Sequence, residues 1–187
     1  MAPKQKITKE IILEAAFQIT REKGFENVNT RNLAKQLGCS TQPIYSQYSN
    51  MDELKKEFHR YAATHFDEYA LESLRCDDYF KKLGRLYINF AKNESNLFKL
   101  LFMSELLGLK SFSDMYTDED NLEVAKMLSK DLDLSLEIAK NLYMKVWIFN
   151  HGVASMIATN TIILADGEAE AMIDDACDAF ITQALNK

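Results

Sequence analysis

The sequence contains little proline and little glycine, which limits the folds that it can form. Its 187 residues include two prolines and six glycines. Strand-rich folds need a turn roughly every 8 to 12 residues, and turns favour these two residue types. The scarcity therefore predicts an all-α chain. With 47% hydrophobic and 27% charged residues, the composition is that of a globular protein rather than of a disordered one.

Cysteine is also scarce, and long apolar runs are absent. Cys39, Cys76 and Cys177 are odd in number, far apart and in no C-x-x-C arrangement, which indicates neither a disulfide framework nor a zinc ribbon. No run of about 18 apolar residues occurs, and the basic N-terminus leads into no apolar signal core. We therefore expect a protein of the reducing cytoplasm that neither spans nor binds a membrane.

Motifs of the common enzyme classes are missing from the sequence as well. It contains no H-E-x-x-H, no P-loop and no G-x-G-x-x-G. A di-iron site in a helical bundle would need Glu-x-x-His pairs. The residues three positions before His59, His65 and His151 are Lys56, Ala62 and Ile148. We therefore predict no enzyme, no catalytic residue, no metal site and no cofactor.

Charge is distributed unevenly along the chain, although the net charge is −6. Residues 1–60 hold ten Lys and Arg against seven Asp and Glu, a net charge of +3. Residues 61–187 hold 12 Lys and Arg against 21 Asp and Glu, a net charge of −9. A basic head on an acidic body suits a small DNA-facing unit carried by a domain that avoids phosphate. A solvated charge imbalance without function is the alternative.

The stretch 30–48 predicts two short helices separated by a tight turn. Thr30 is expected to cap the first helix, and Gly38 to end it, since glycine enters a left-handed turn at least cost. Ser40 is expected to cap the second helix, with Pro43 in its first turn, where no intrahelical donor is lost. The apolar positions between them are Leu33, Ala34, Leu37 and Ile44. This pattern is typical of a DNA-binding helix-turn-helix, and an ordinary pair of surface helices is the alternative.

The segment "TRNLAKQLGCSTQPIYSQYSNMDELKKEF" resembles the operator-binding head of TetR/AcrR-family transcriptional regulators. The matching positions are Thr30, Ala34, Gly38, Ser40, Tyr45, Tyr48, Asp52, Glu53 and Leu54. A supporting first helix, ended by Gly24, precedes them. The resemblance implies a helix-turn-helix DNA-binding domain over residues 1–50, made of three helices, and a larger effector-binding and dimerisation domain over 51–187.

One position departs from the family pattern. A lysine that contacts phosphate commonly begins the fourth helix in the family, whereas this chain has Met51 there. Lys55 or Lys56 is expected to substitute for it. Outward residues of the second helix carry amide and hydroxyl groups that can read base edges and hold phosphates. The predicted DNA-binding residues are Thr30, Arg31, Ser40, Thr41, Gln42, Pro43, Tyr45, Gln47, Tyr48 and Lys55.

Beyond residue 50 the periodicity predicts six further helices, over 51–73, 76–92, 94–106, 118–130, 134–164 and 168–185, with a looser segment at 108–118. Sixteen of the 20 aromatic residues and seven of the eight methionines lie in this region, and such side chains suit a pocket for apolar molecules. The candidate pocket residues are Phe66, Tyr69, Phe80, Tyr87, Phe90, Phe98, Phe102, Met103, Met115, Tyr116, Trp147 and Asn150. For each of them, plain core packing is the alternative. The resemblance implies an unidentified small-molecule effector.

The last two predicted helices are amphipathic and carry small residues at helical spacing, which lets another helix approach closely. The run Trp147-x-x-x-His151-Gly152 also resembles the dimerisation helix of many family members. The candidate dimer-interface residues are His151, Gly152, Ala154, Ser155, Ala158, Ile173, Ala176 and Phe180. In the alternative, both helices pack only within one subunit.

Together these features predict a homodimeric regulator, most simply a repressor, that binds a near-palindromic operator in double-stranded DNA, and the resemblance implies that it responds to a ligand. Two half-sites would lie about 34 Å apart, or a multiple of that distance, because each subunit places one helix in the major groove. The alternatives are an all-helical adaptor that binds protein and a small-molecule-binding protein without DNA function.

Overall fold

The computed structural model describes residues 6–71, 79–108 and 110–186, and every regular element in these ranges is helical. Ten α-helices follow one another: α1 Lys9–Lys23, α2 Thr30–Gln36, α3 Gln42–Tyr45, α4 Met51–Leu71, α5 Tyr79–Asn93, α6 Ser95–Phe102, α7 Phe112–Thr117, α8 Glu119–Asp131, α9 Leu136–Ala158 and α10 Glu168–Leu185. Short 3₁₀ turns lie at Phe25–Asn27 and Glu105–Leu107. The predicted all-α fold is confirmed.

The first two helices end at the glycines that the sequence predicts. Gly24 follows α1 with φ at +90°, and Gly38 follows α2 with φ at +61°. Two hydrogen bonds close the end of α2: the N–H of Cys39 donates to the oxygen of Ala34 (3.0 Å), and the N–H of Gly38 donates to that of Lys35 (3.3 Å). This pair of bonds is the Schellman arrangement, which needs a left-handed residue after the helix.

Both predicted N-caps in this region differ from those observed. Asn29 caps α2, because its side-chain oxygen accepts from the N–H of Asn32 (3.0 Å), and Thr30 is the first helical residue. Helix α3 begins at Gln42, and the residue before it, Thr41, already has helical backbone angles and makes no side-chain cap. Ser40 therefore lies outside α3 rather than capping it.

Two later boundaries were also predicted imperfectly. The segment expected to be loose contains α7, which begins at a capping box formed by Ser111 and Asp114. Helix α9 ends at Ala158, well before the predicted end at residue 164. There the hydroxyl of Thr159 donates to the oxygen of Ser155 (2.7 Å), and Asn160 takes a left-handed φ of +54°. Polar residues that bond their own backbone compete with the helix and stop it.

Helical contacts divide the chain into two compact units. The described part of the first comprises residues 6–69 and 94–106, and that of the second comprises 70–71, 79–93, 107–108 and 110–186. The first unit thus extends beyond residue 50, because α4 and α6 pack with the N-terminal helices. The functional division that we predicted at residue 50, between DNA binding and effector binding, stays a prediction.

Aromatic contacts and ion pairs link the helices of the first unit. The ring of Phe17 on α1 meets that of Tyr61 on α4 edge to face, with centroids 6.2 Å apart. The Tyr61 hydroxyl donates to a carboxylate oxygen of Glu14 (2.8 Å). Arg21 at the end of α1 forms an ion pair with Glu94, immediately before α6. These contacts hold α1 against both α4 and α6.

Helices α5, α9 and α10 form the centre of the second unit. Leu142 and Val146 on α9 pack with Ala184 on α10 in a buried cluster. Lys81 on α5 reaches the carboxylate of Asp178 on α10 (2.5 Å). Small and medium apolar residues on one face of each helix thus allow close packing, while ion pairs lie at the edges.

Candidate nucleic-acid interface

A hydroxyl pair joins the two helices of the predicted helix-turn-helix. The side-chain oxygen of Thr30, at the start of α2, lies 3.3 Å from the hydroxyl oxygen of Tyr45, at the end of α3. Beneath this pair, Leu33 and Ile44 are fully buried, with 0% and 1% of their surface exposed. Each helix thus contributes a buried apolar side chain to the core, and the hydroxyl pair links the two helices at the surface.

The outer side of this pair of helices exposes hydrogen-bonding groups. Ser40, Thr41 and Gln42 are exposed at and before the start of α3, and 56% of the Tyr45 surface is exposed. Arg31 is exposed on α2. Amide and hydroxyl groups can pair with base edges, and a guanidinium can pair with phosphate. Five of the ten predicted DNA-binding residues are therefore exposed on α2, on α3 or just before α3: Arg31, Ser40, Thr41, Gln42 and Tyr45.

Two predicted contact residues face the protein instead. Tyr48 is buried, with 2% of its surface exposed, so it packs in the core of the head rather than offering its hydroxyl to a phosphate. Gln47 is half-buried, and its amide donates to the backbone oxygen of Ile7 (3.4 Å). Pro43 is also half-buried. Gln47 and Tyr48 follow α3, which ends at Tyr45, so this short helix does not hold them on its outer side.

Tyr48 is held by a charged pair that the sequence reasoning missed. The ammonium of Lys9 lies 4.7 Å from the centre of the Tyr48 ring and 2.8 Å from a carboxylate oxygen of Glu57. Burial, followed by the negative charge of Glu57, raises the pKa of Tyr48. The hydrogen bond to Glu57 raises the pKa of Lys9. Lys9 thus bridges α1 and α4.

The start of α4 confirms Met51 as its first residue. Asn50 precedes it and accepts from the N–H of Glu53 through its side-chain oxygen (2.9 Å). Of the two lysines expected to replace the family lysine, Lys55 is half-buried, with its ammonium 5.4 Å from the centre of the Phe25 ring. Lys56 is exposed. Lys56 is therefore the more accessible of the two for phosphate.

The predicted pocket residues are divided between the two compact units. Phe66, Phe98, Phe102 and Met103 lie in the first, and Phe80, Tyr87, Phe90, Met115, Tyr116, Trp147 and Asn150 lie in the second. The side chain of Tyr69 lies outside the described residues. In the first unit the rings of Phe66, Phe98 and Phe102 pack together, with centroids 5.0 and 5.2 Å apart. A cleft of about 520 Å³ in the second unit is lined by only one of the predicted residues, Tyr116.

The predicted dimer-interface residues differ in their exposure. Ala154, Ala158 and Ile173 are buried within the subunit, which corrects the expectation that they lie at an interface. The cause is that α9 and α10 pack against each other and against α5. His151, Ser155, Ala176 and Phe180 are half-buried, and Gly152 is exposed. Some of these small residues thus lie inside the subunit, and Gly152 lies on its surface.

The described residues show no group of three or more His, Cys, Asp and Glu side chains arranged to hold a metal ion. Within the same ranges, none of the helices has the length and apolar character needed to cross a membrane.

Comparison with known proteins identifies the N-terminal part of the chain. Residues 12–58 match the family described as bacterial regulatory proteins, tetR family. No curated protein has a significantly similar sequence. The matched segment contains most of α1, all of α2 and α3, and the first part of α4, and α2 and α3 carry most of the candidate interface.

Solved structures share the fold over nearly the whole chain. A TetR family protein from Vibrio parahaemolyticus is 20% identical, with a TM-score of 0.58 over 91% of this chain and 97% of that one. A TetR-like transcriptional regulator from Rhodococcus sp. RHA1 is 14% identical, with a TM-score of 0.62 over 97% of this chain and 95% of that one. The chain thus carries an N-terminal segment that matches the tetR family of bacterial regulatory proteins, and it shares its overall fold with solved proteins described as TetR family or TetR-like.

Proposed function

We propose that this protein is a ligand-responsive repressor that binds a near-palindromic operator as a homodimer. The observation that carries the proposal is the exposed polar stretch from Ser40 to Gln42, which leads from α2 into α3, two helices joined by the hydroxyl pair of Thr30 and Tyr45. A repressor of this kind acts in the cytoplasm, where bacterial DNA lies.

Contacts with bases are assigned to Gln42 and Thr41. An exposed glutamine amide can pair with both hydrogen-bonding groups of an adenine edge in the major groove, and a hydroxyl can pair with either type of group. Contacts with phosphate are assigned to Thr30, Tyr45 and a lysine of α4. Phosphate contacts fix the register of the helix on the duplex, and base contacts select the sequence.

Dimerisation is assigned to the outer faces of α9 and α10. Ile148 and Met156 on α9 are exposed by 44% and 40%, and Gly152 lies between them at helical spacing. Met172 on α10 is exposed by 40%, and Ala176 follows one turn later. A two-fold interface uses the same patch on both subunits. Glycine at its centre would let the helices approach closely.

Gly152 offers a direct test of this interface. A Cβ at this position would meet no atom within 4 Å in the subunit, so Gly152→Leu should leave the subunit folded. If a partner helix packs there, the leucine side chain should weaken the dimer, which sedimentation velocity would measure. Lys130→Leu, at an exposed position on α8, is the matched control. Dimers of equal strength in both variants would place the interface elsewhere.

DNA binding is tested with a fragment from upstream of the protein's own gene and a scrambled fragment of equal length. We expect preferential, salt-sensitive binding with two subunits per site. Gln42→Ala should reduce the preference, whereas Gln18→Ala, whose amide bonds Glu14 on α1, should not. Equal or absent binding to this fragment and to a genomic fragment library would favour a helical binding protein without DNA function.

A further inference from the structure

The second compact unit contains a cleft between α9 and α10 whose lining combines apolar and cationic side chains. Its volume is about 520 Å³, within the range of small-molecule sites. Tyr116 on α7 lines it, and Ile138, Leu142 and Phe180 contribute apolar surface. Leu142 belongs to the buried cluster of this unit, and Ile138 and Phe180 pack against that cluster. The cleft therefore has a packed apolar floor.

Three charged residues line the cleft, and their burial differs. Lys140 and Lys145 are half-buried, whereas Glu137 is exposed. A half-buried lysine lays its hydrocarbon stem along the apolar wall and keeps its ammonium at the edge of the cavity. The carboxylate of Glu137 is solvated, so its field is screened more strongly. The cleft is thus locally cationic, although residues 61–187 carry a net charge of −9.

Lys145 is held in place by its neighbours on α10. Its ammonium donates to the side-chain oxygen of Gln183 (2.6 Å) and lies 6.0 Å from the centre of the Phe180 ring. An ammonium has three donors, and the bond to Gln183 uses one of them. An anion in the cleft would therefore meet a positioned positive charge beside an aromatic face.

We propose that this cleft binds a small organic anion with an aromatic or similarly sized apolar body, which places its negative charge between Lys140 and Lys145. The apolar body contacts Phe180, Tyr116 and the floor, where burial of apolar surface contributes most of the affinity. That the bound anion is the effector rests on the proposed function. Because α9 and α10 also carry the proposed dimer face, an anion between them would bias their spacing.

The binding test uses the purified full-length chain and two probes of matched shape, 2-naphthoate and the neutral 2-naphthamide, in isothermal titration calorimetry. We expect one naphthoate per chain and an affinity for the amide about tenfold lower, because a charge-assisted hydrogen bond contributes roughly that factor. Lys145→Met and Lys140→Met should each reduce naphthoate affinity by a similar factor. Lys126→Met, which removes an exposed ammonium paired with Glu123 on α8, should not.

Several results would overturn the proposal. Equal affinity for the two probes, unchanged affinity in both lysine variants, or no binding at millimolar probe would each exclude an anion site. Asn141 lines the cleft and is exposed, so Asn141→Trp should block the probes without changing the oligomeric state. If this variant instead dissociates the dimer, the partner subunit occupies the cleft.

A separate titration of operator DNA tests whether anion binding in the cleft affects DNA binding. If naphthoate binds through Lys145 and lowers operator affinity, the cleft is an effector site. Binding without an effect on specific operator recognition would overturn the effector assignment and retain the anion site. Anion binding by a chain that recognises no DNA would overturn the proposed function alone. Specific DNA binding with no anion binding would overturn the cleft proposal alone.

Discussion

The hydroxyl oxygen of Tyr87 lies 2.9 Å from Nδ1 of His151, in a pair that connects α5 to α9. The ring of Trp147, one turn before His151, stacks on the imidazole at 4.7 Å, with an angle of 9° between the planes. Burial lowers the pKa of His151 and raises that of Tyr87. The neutral imidazole is therefore the form that fits this contact.

This pair predicts that stability falls under mildly acidic conditions. Because the folded-state pKa of His151 lies below its ordinary value of 6.5, the unfolded chain binds the proton more tightly. Stability is full above 6.5 and decreases as the pH falls from there toward the folded pKa. His151→Gln should lose less stability than the wild type between pH 7.5 and 5.5, measured by urea unfolding at fixed protein concentration. His65→Gln, at an exposed position on α4, is the control.

Other titrating groups also contribute to the pH dependence of stability. Burial also lowers the pKa of His59, so the wild type should lose more stability than His151 alone accounts for. The carboxylates of Glu14 and Glu53 have lowered pKa values, and their contribution is lost only as the pH falls below about 4.5. An identical loss in wild type and His151→Gln would contradict the assigned role.

Tyr45 and Tyr48 are three residues apart and should behave differently on substitution. Tyr48→Ala removes a buried ring and should lower the free energy of unfolding by about 3–5 kcal/mol. Tyr45→Ala removes an exposed ring, so it should lower DNA affinity with a loss of stability below about 1 kcal/mol. Thermal unfolding and DNA titration of both variants check this. A stable Tyr48→Ala variant with weak DNA binding would restore Tyr48 as a contact residue.

Gly38 should resist replacement because of its backbone angle and not because of crowding. No atom lies within 4 Å of a Cβ built at this position, yet φ is +61°. Gly38→Ala should therefore cost about 1–2 kcal/mol of stability, and Gly38→Asn should cost less, since asparagine tolerates the left-handed region. Chemical unfolding of the two variants gives the comparison. Equal costs would indicate a steric conflict instead.

Substitutions of Lys55 and Lys56 test which of them replaces the family lysine, whose position is occupied by Met51 in this chain. Lys56→Ala should lower the affinity for all DNA sequences alike and reduce the salt slope by about 1, as the loss of one phosphate contact does. Lys55 is half-buried over Phe25, so Lys55→Ala should mainly reduce stability. DNA titration at two salt concentrations, with thermal unfolding as the control, distinguishes the two lysines. If neither variant changes the salt slope, neither lysine takes the place of the family lysine that contacts phosphate.

Local signals in the sequence were sufficient to predict the helical class, the turn at Gly38 and the start of α4 at Met51. Each depends on a few neighbouring residues: a left-handed glycine, a proline in a first turn, an apolar stripe at helical spacing. The end of α9 at Ala158 also depends on neighbouring residues, since Thr159 and Asn160 stop the helix. We predicted a longer helix because the apolar periodicity continues beyond them.

Only the tertiary structure decided which way the candidate residues face. Tyr48 is buried, and it lies beside the ion pair of Lys9 and Glu57, which are 48 residues apart in the sequence. The pocket candidates divide between two units because α6 packs with α1, far from it in sequence. The cationic cleft arises because Lys145 on α9 meets Gln183 on α10. Sequence periodicity predicts which face of a helix is apolar, but contacts between helices that are distant in the sequence determine which residues pack against that face.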